Sequence, residues 1–222
     1  MSYPYPLVVF DLDGTLVDSA ADIAEALNRT LEDIGMARVP EATVLGWIGD
    51  GVRRLVEQAV HAAGREVDLA EVMPVFMVHY RECLLRSPRL FDGVADALAQ
   101  LRARDVPLAI CTNKPEALVP PLLQHLGIGD AFALILGGDS LPQRKPSGEP
   151  LRHIAAHFEL PVEACLMVGD SLTDYRAAED AGMPIALVRY GYPRGLDLGS
   201  AHAVAVIDDL RELPGLAAGV RA

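Results

Sequence analysis

Lysine is almost absent from this chain, occurring only at Lys114 and Lys145 although arginine is used freely. A chain that keeps a compact ammonium at two places and a planar guanidinium elsewhere is expected to use the ammonium for a task the fork cannot do. Cysteine is equally sparse: Cys83, Cys111 and Cys165 form no paired spacing and no zinc pattern. A disulfide framework and a thiolate metal site are thereby excluded, and a reducing compartment is expected. No apolar run approaches the ~20 residues of a membrane span. The opening Met-Ser-Tyr-Pro-Tyr-Pro has no basic stretch leading into an apolar one, so no signal peptide is read and a cytoplasmic protein is expected. Cations are outnumbered, 19 Lys and Arg against 31 Asp and Glu, for a formal charge of -12. Nucleic acid and anionic membrane are therefore not expected as partners, and an anionic ligand must be held by local cations.

At 222 residues the chain can bury a full core, or a core carrying a smaller inserted domain. Leu7 to Phe10 are apolar without alternation, the pattern of a strand buried on both faces. Asp11 and Asp13 follow at once, and Gly14 lets the chain turn. Two carboxylates at the end of a buried strand repel unless a cation, a proton or a ring of donors accompanies them.

Residues 19–86 read as wholly helical. Asp18 or Ser19 can cap a helix bearing Ile23, Leu27, Leu31 and Ile34. A short helix opens at Pro40, a glycine-rich loop at Gly46 to Gly51 holds the sole tryptophan, Trp47, and helices follow from Val52 and over Leu69 to Leu85. From Pro88 onward helices alternate with short apolar runs at Leu108–Cys111, Leu134–Leu136, Leu166–Val168, Ile185–Val188 and Val204–Ile207. Such alternation implies an α/β fold with a parallel sheet covered on both faces. The expected organisation is a core of residues 1–18 and 87–222 with an inserted helical domain at 19–86.

Functional groups in open parallel sheets gather beyond the carboxyl ends of the strands. Those positions here hold Asp11, Asp13, Thr112, Asn113, Asp170 and Asp174, with Lys145 in the loop after the third core strand. Asp170 and Asp174, at i and i+4, would stack on one helix face if the helix began at Asp170. Four converging carboxylates with no His or Cys call for a hard cation, and all-oxygen ligation favours Mg²⁺. Lys145, Thr112 and Asn113 supply donors for phosphate oxygens. Asp11 is then a carboxylate nucleophile that forms an aspartyl-phosphate, and Asp13 the acid that protonates the leaving alkoxide and later the base that activates water. Lys114, followed by Pro115, reads as a helix-start residue outside the catalytic set. Asp18 and Asp22 read as a cap and a solvated first-turn acid, and Arg53 and Arg54 as an exposed helix face.

Asp11-Leu-Asp-Gly-Thr15, Thr112-Asn113, Lys145-Pro146 and Gly169-Asp170-Ser-Leu-Thr-Asp174, in that order, resemble the four motifs of the haloacid dehalogenase (HAD) superfamily. The resemblance implies a Rossmann-like core with a helical cap inserted after the first motif. It also implies a Mg²⁺ held by Asp11, Asp170 and the main-chain carbonyl of Asp13, with Asp174 acting mostly through water. Asp13 separates the chain from the superfamily's dehalogenases and ion pumps. The absence of lysine from residues 19–86 separates it from its phosphonoacetaldehyde hydrolases. Trp47 to Val56, Gly137 to Pro146 and Gly191 to Gly195 resemble phosphoglycolate phosphatases, although Pro193-Arg194 departs from the usual pattern. The expected partner is a small phosphorylated metabolite and the expected substrate 2-phosphoglycolate, with a monomer or homodimer as the assembly. A phosphomutase of the β-phosphoglucomutase type is the nearest alternative, and a phospho-receiver signalling module a distant one.

Overall fold

A computed structural model describes residues 3–216. Strand β1 (Val8–Phe10) is completely buried, which explains its unbroken apolar run. It is a central strand of a six-stranded sheet, paired in parallel with β4 (Leu108–Cys111) on one side and β6 (Leu166–Gly169) on the other. With β5 (Leu134–Leu136), β7 (Ile185–Val188) and β8 (Ala205–Ile207) the order is β5-β4-β1-β6-β7-β8. All these pairings are parallel.

Successive side chains of β1 point to opposite faces and so into different cores. Leu7 and Val9 join α7 (Glu149–His157) and α8 (Leu172–Ala181). Val8 and Phe10 pack with α5 (Val94–Arg102) and α6 (Val119–His125). The sheet is thus covered on both faces, as its strand composition requires.

Between β1 and the rest of the sheet lie α1 (Ala20–Asp33), α2 (Glu41–Leu45), α3 (Val52–Ala62) and α4 (Leu69–Cys83). Asp68 caps α4 by accepting from the Ala70 N–H at 2.8 Å, and the helix continues past Pro74, which stands beyond the first turn. Among the described residues no helix is long and apolar enough to cross a membrane.

A two-stranded antiparallel ladder was not anticipated. β2 (Val17–Asp18) pairs with β3 (Arg89–Leu90) where the chain leaves for the helical block and where it returns. Asp18 is therefore no cap. It meets Arg89 at 2.7 Å and accepts from the Tyr192 hydroxyl at 2.8 Å. Asp22, expected in solvent, is buried and accepts from the Ser87 hydroxyl at 2.6 Å and the Ser87 N–H at 3.2 Å. Ser19 occupies the N-cap position of α1, but its hydroxyl donates to Asp13 at 2.6 Å and leaves the helix terminus without a side-chain cap.

Candidate active site

The site lies at the carboxyl edge of the sheet. Asp11 follows β1, Thr112 and Asn113 follow β4, and Asp170 follows β6; all four are buried. Gly14 turns the chain with φ +95°, and a Cβ there would collide with the Asp170 carboxylate. The close approach thus requires glycine as much as the dihedral does.

Asp170 accepts from the Thr15 hydroxyl and from the Tyr192 N–H, both at 2.6 Å. Its expected stacking with Asp174 does not occur, because α8 begins at Leu172 and not at Asp170. Ser171 is the N-cap. It forms a capping box with Asp174, whose Oδ2 accepts from the Ser171 hydroxyl at 2.6 Å and the Ser171 N–H at 3.1 Å. The other oxygen of Asp174 takes Lys145 Nζ at 2.6 Å, and the same ammonium lies 2.9 Å from Asp11. Lys145 therefore bridges two of the acids and is itself 2 % exposed.

Asp11, Asp170 and Asp174 offer oxygens that all lie within 4.8 Å of one another. Burial pushes Asp11 up to about 7, with the charge of Asp174 adding and Lys145 opposing. Asp170 is likewise held well above the usual carboxylate range, first by burial and then by Asp174 and Asp11. One ammonium does not offset three buried carboxylates, so the donor set fits an added divalent cation with oxygen preference, as Mg²⁺ has. The side chain of Asp13 stands apart from this cluster. It faces Ser19 and Lys114.

Lys114 is part of the site, contrary to its reading as a helix-start residue. Its side chain is fully buried, and Nζ donates to Asp13 at 2.9 Å and to the Tyr80 hydroxyl at 2.5 Å. Burial would lower its pKa, but Asp13 and Tyr80 outweigh that and hold it above the ordinary lysine value. Lysine scarcity was the signal that pointed there; nothing in the sequence pointed to Tyr80, which α4 delivers from the helical block.

Asn113 donates its side-chain amide to the carbonyls of Gly49 at 2.8 Å and Lys145 at 2.9 Å. Those donors are engaged by the protein, so a phosphate contact through this side chain requires an exchange of partners. The Thr112 hydroxyl accepts from the Lys114 N–H at 3.2 Å and keeps its own proton for donation. Above these residues, Ile23, Trp47, Ile48, Val52 and Leu55 wall a cavity of about 40 Å³ that Asp11, Asp13, Tyr80 and Lys114 close at the polar end.

The glycine-rich loop reaches the core through Asp50 as well. Asp50 accepts from the Thr173 hydroxyl at 2.8 Å and pairs with Arg194 at 2.6 Å. Asp50→Ala removes both contacts and leaves every strand and helix intact. Amide exchange at Gly49 to Gly51 is expected to quicken roughly tenfold with a fall in melting temperature of only a few degrees, since one partly buried pair on a loop contributes on the order of 1 kcal/mol. Unchanged exchange would mean that Asn113 alone fixes the loop. Arg53 and Arg54 lie on the exposed face of α3 and pair with Glu57, as expected.

The haloacid dehalogenase-like hydrolase family matches residues 5–182. The chain belongs to this family. Across 218 residues it is 42 % identical to a phosphoglycolate phosphatase of Cupriavidus necator, covering 97 % of this chain and 94 % of that one. A phosphoglycolate phosphatase of Colwellia psychrerythraea is 38 % identical over 93 % of this chain and 94 % of its own. The crystal structure of a predicted phosphoglycolate phosphatase from Haemophilus somnus superposes with a TM-score of 0.88 at 34 % identity, covering 95 % and 96 % of the two chains. As a haloacid dehalogenase-like hydrolase, the chain carries the Rossmann-like parallel sheet and the acidic strand ends of its family on the elements described above.

Proposed function

We propose that this hydrolase is a Mg²⁺-dependent phosphomonoesterase whose substrate is 2-phosphoglycolate, released as glycolate and phosphate. The observation that carries the reading is the cavity above Asp13. Its apolar walls, among them Ile23, Trp47 and Leu55, and its single polar end at Asp13, Tyr80 and Lys114 suit a short leaving group that carries a polar terminus. The likeness to phosphoglycolate phosphatases at about 40 % identity over almost the whole chain supports the same substrate.

In this reading Asp11, Asp170 and the carbonyl of Asp13 hold Mg²⁺, with Asp174 fixed by Ser171 and Lys145 behind them. The ion supplies Lewis-acid neutralisation of the phosphoryl oxygens. Lys145 and the Thr112 hydroxyl orient the phosphoryl group, and Asp11 attacks phosphorus to form the aspartyl-phosphate. Asp13 gives its proton to the departing alkoxide and then takes one from the attacking water, a role typically responsible for 10²- to 10⁴-fold in rate. Residues 19–86 act as a cap on the core of residues 1–18 and 87–222. The β2–β3 ladder joins them, and the loop at Trp47 excludes water. The low count of cysteines and the acidic surface agree with a cytoplasmic enzyme that binds neither nucleic acid nor membrane.

A panel of phosphorylated metabolites incubated with the purified protein and Mg²⁺ should release phosphate fastest from 2-phosphoglycolate, and EDTA should abolish release. Phosphate release unaffected by EDTA would remove the metal from the mechanism. No release from any ester would defeat the reading altogether.

A further inference from the structure

We propose that Lys114 and Tyr80 form the subsite that recognises the carboxylate of the leaving group, making this site selective for phosphate esters of small 2-hydroxy acids. The inference rests on the reading that a small phosphomonoester is hydrolysed here. It adds which residues choose the ester.

A lysine ammonium has three N–H donors. Lys114 directs one to the Asp13 carboxylate, whose two oxygens share it at 2.9 and 3.2 Å, and one to the Tyr80 hydroxyl at 2.5 Å. The third has no further partner among the described residues. The Tyr80 hydroxyl accepts from Lys114 and still has its own proton to give. Two donors, one of them cationic, therefore converge at the polar end of the cavity, beside Asp11 and Asp13 and facing apolar walls such as Ile23, Trp47 and Leu55. In such surroundings an anionic oxygen is the partner that both donors suit, and a neutral alkyl group would leave them unpaired.

Position decides which anion this is. Asp13 is the acid that meets the ester oxygen, and the Lys114 ammonium stands one hydrogen-bond length behind it. In 2-phosphoglycolate a single methylene separates the ester oxygen from the carboxylate. A leaving group whose ester oxygen faces Asp13 thus brings its carboxylate to Lys114 without spanning any gap. Lys145, the other lysine, is occupied by Asp11 and Asp174 on the phosphoryl side. The two lysines consequently divide the substrate, one for each charged end.

The test compares 2-phosphoglycolate with ethyl phosphate, which has the same chain length and no carboxylate. In the wild-type protein the ratio of kcat/KM for the two is expected to be on the order of 100 or more. Lys114→Met should lower that ratio by about 30-fold or more, mostly through KM. Tyr80→Phe, which removes a single hydroxyl and poses little risk to folding, should lower it about 5- to 10-fold. Competitive inhibition by glycolate should weaken in parallel in both variants. A ratio retained in both variants would overturn the proposal and leave Lys114 as a positioning residue for Asp13. A wild-type ratio near one, with both esters cleaved, would also overturn it while the phosphatase reading stands. Cleavage of neither ester would defeat both.

Discussion

Asp11→Asn is expected to abolish phosphate release, by at least about 10⁴-fold, while the protein stays folded and becomes more stable in the absence of metal. The two effects have one cause. Burial and the neighbouring Asp174 raise Asp11 from its ordinary 3.8 to about 7 in the folded protein. A carboxyl whose folded pKa lies above its unfolded value binds more protons folded than unfolded, so its ionisation opposes folding. The penalty is absent below pH 3.8, grows as the pH rises to about 7, and is constant above that. The amide cannot ionise. Metal-free Asp11→Asn should therefore melt above the metal-free wild type at pH 8, and the gap should narrow as the pH falls toward 5. Mg²⁺ should reverse the order, because the wild type gains a ligand-linked stabilisation that the variant has largely lost. Thermal melts at several pH values with and without Mg²⁺ check this, alongside activity. Near-normal turnover in the variant would remove Asp11 as nucleophile. A lower melting temperature at pH 8 without metal would show that repulsion among the acids is not what Asp11 contributes.

Lys145→Met should produce the opposite stability change with the same loss of activity. The ammonium is buried and joins Asp11 to Asp174 at 2.9 and 2.6 Å. Its removal leaves three close, buried carboxylates with no cation among them. Deleting one partner of a buried ion pair typically costs about 3–5 kcal/mol, because the remaining charge is left uncompensated. For a chain of this length that corresponds to a fall in melting temperature of roughly 10 °C. The sign with pH follows from the same linkage. Without Lys145 the folded-state pKa of Asp11 rises further, so the loss is largest in alkaline, metal-free solution and smallest near pH 5. Mg²⁺ should recover much of the stability but not the activity, since the metal can offset charge in the cluster while the phosphoryl group still lacks its ammonium. A melting temperature within about 2 °C of the wild type at pH 8 without metal would contradict this account.

The opposed outcomes distinguish a site that stores repulsion from one that is merely polar. Three acids, one ammonium and a capping serine are mutually constrained here, so the contribution of each depends on the others. This is also why the roles of Asp11 and Lys145 are best read from stability and activity measured together.

Much of this arrangement is legible along the chain, for a definite reason. A strand buried on both faces must be apolar throughout, and helices that cover a sheet must repeat their apolar positions, so the six-strand pattern and the helical block at 19–86 can be read from periodicity. Chemistry at the carboxyl ends of parallel strands follows from topology, which is how Asp11, Thr112, Asn113 and Asp170 are found together without coordinates. The β2–β3 ladder could not be read, since two-residue strands carry no period. The start of α8 could not be read to the residue, because Asp170, Ser171 and Asp174 are all good capping residues and only the observed capping box selects Ser171.

Three decisions belonged to tertiary structure alone. Lys114 and Tyr80 lie 34 residues apart and meet only because α4 packs over the loop after β4. Asp22 is buried because the returning chain places Ser87 against it. The side chain of Asp13 turns away from the other acids because Ser19 and Lys114 are there to receive it. Sequence determines which residues are apolar, which are charged and where the chain can turn, since those are properties of single residues and their local spacing. Which charge faces which is a property of distances between elements, and so only the packed fold decides it.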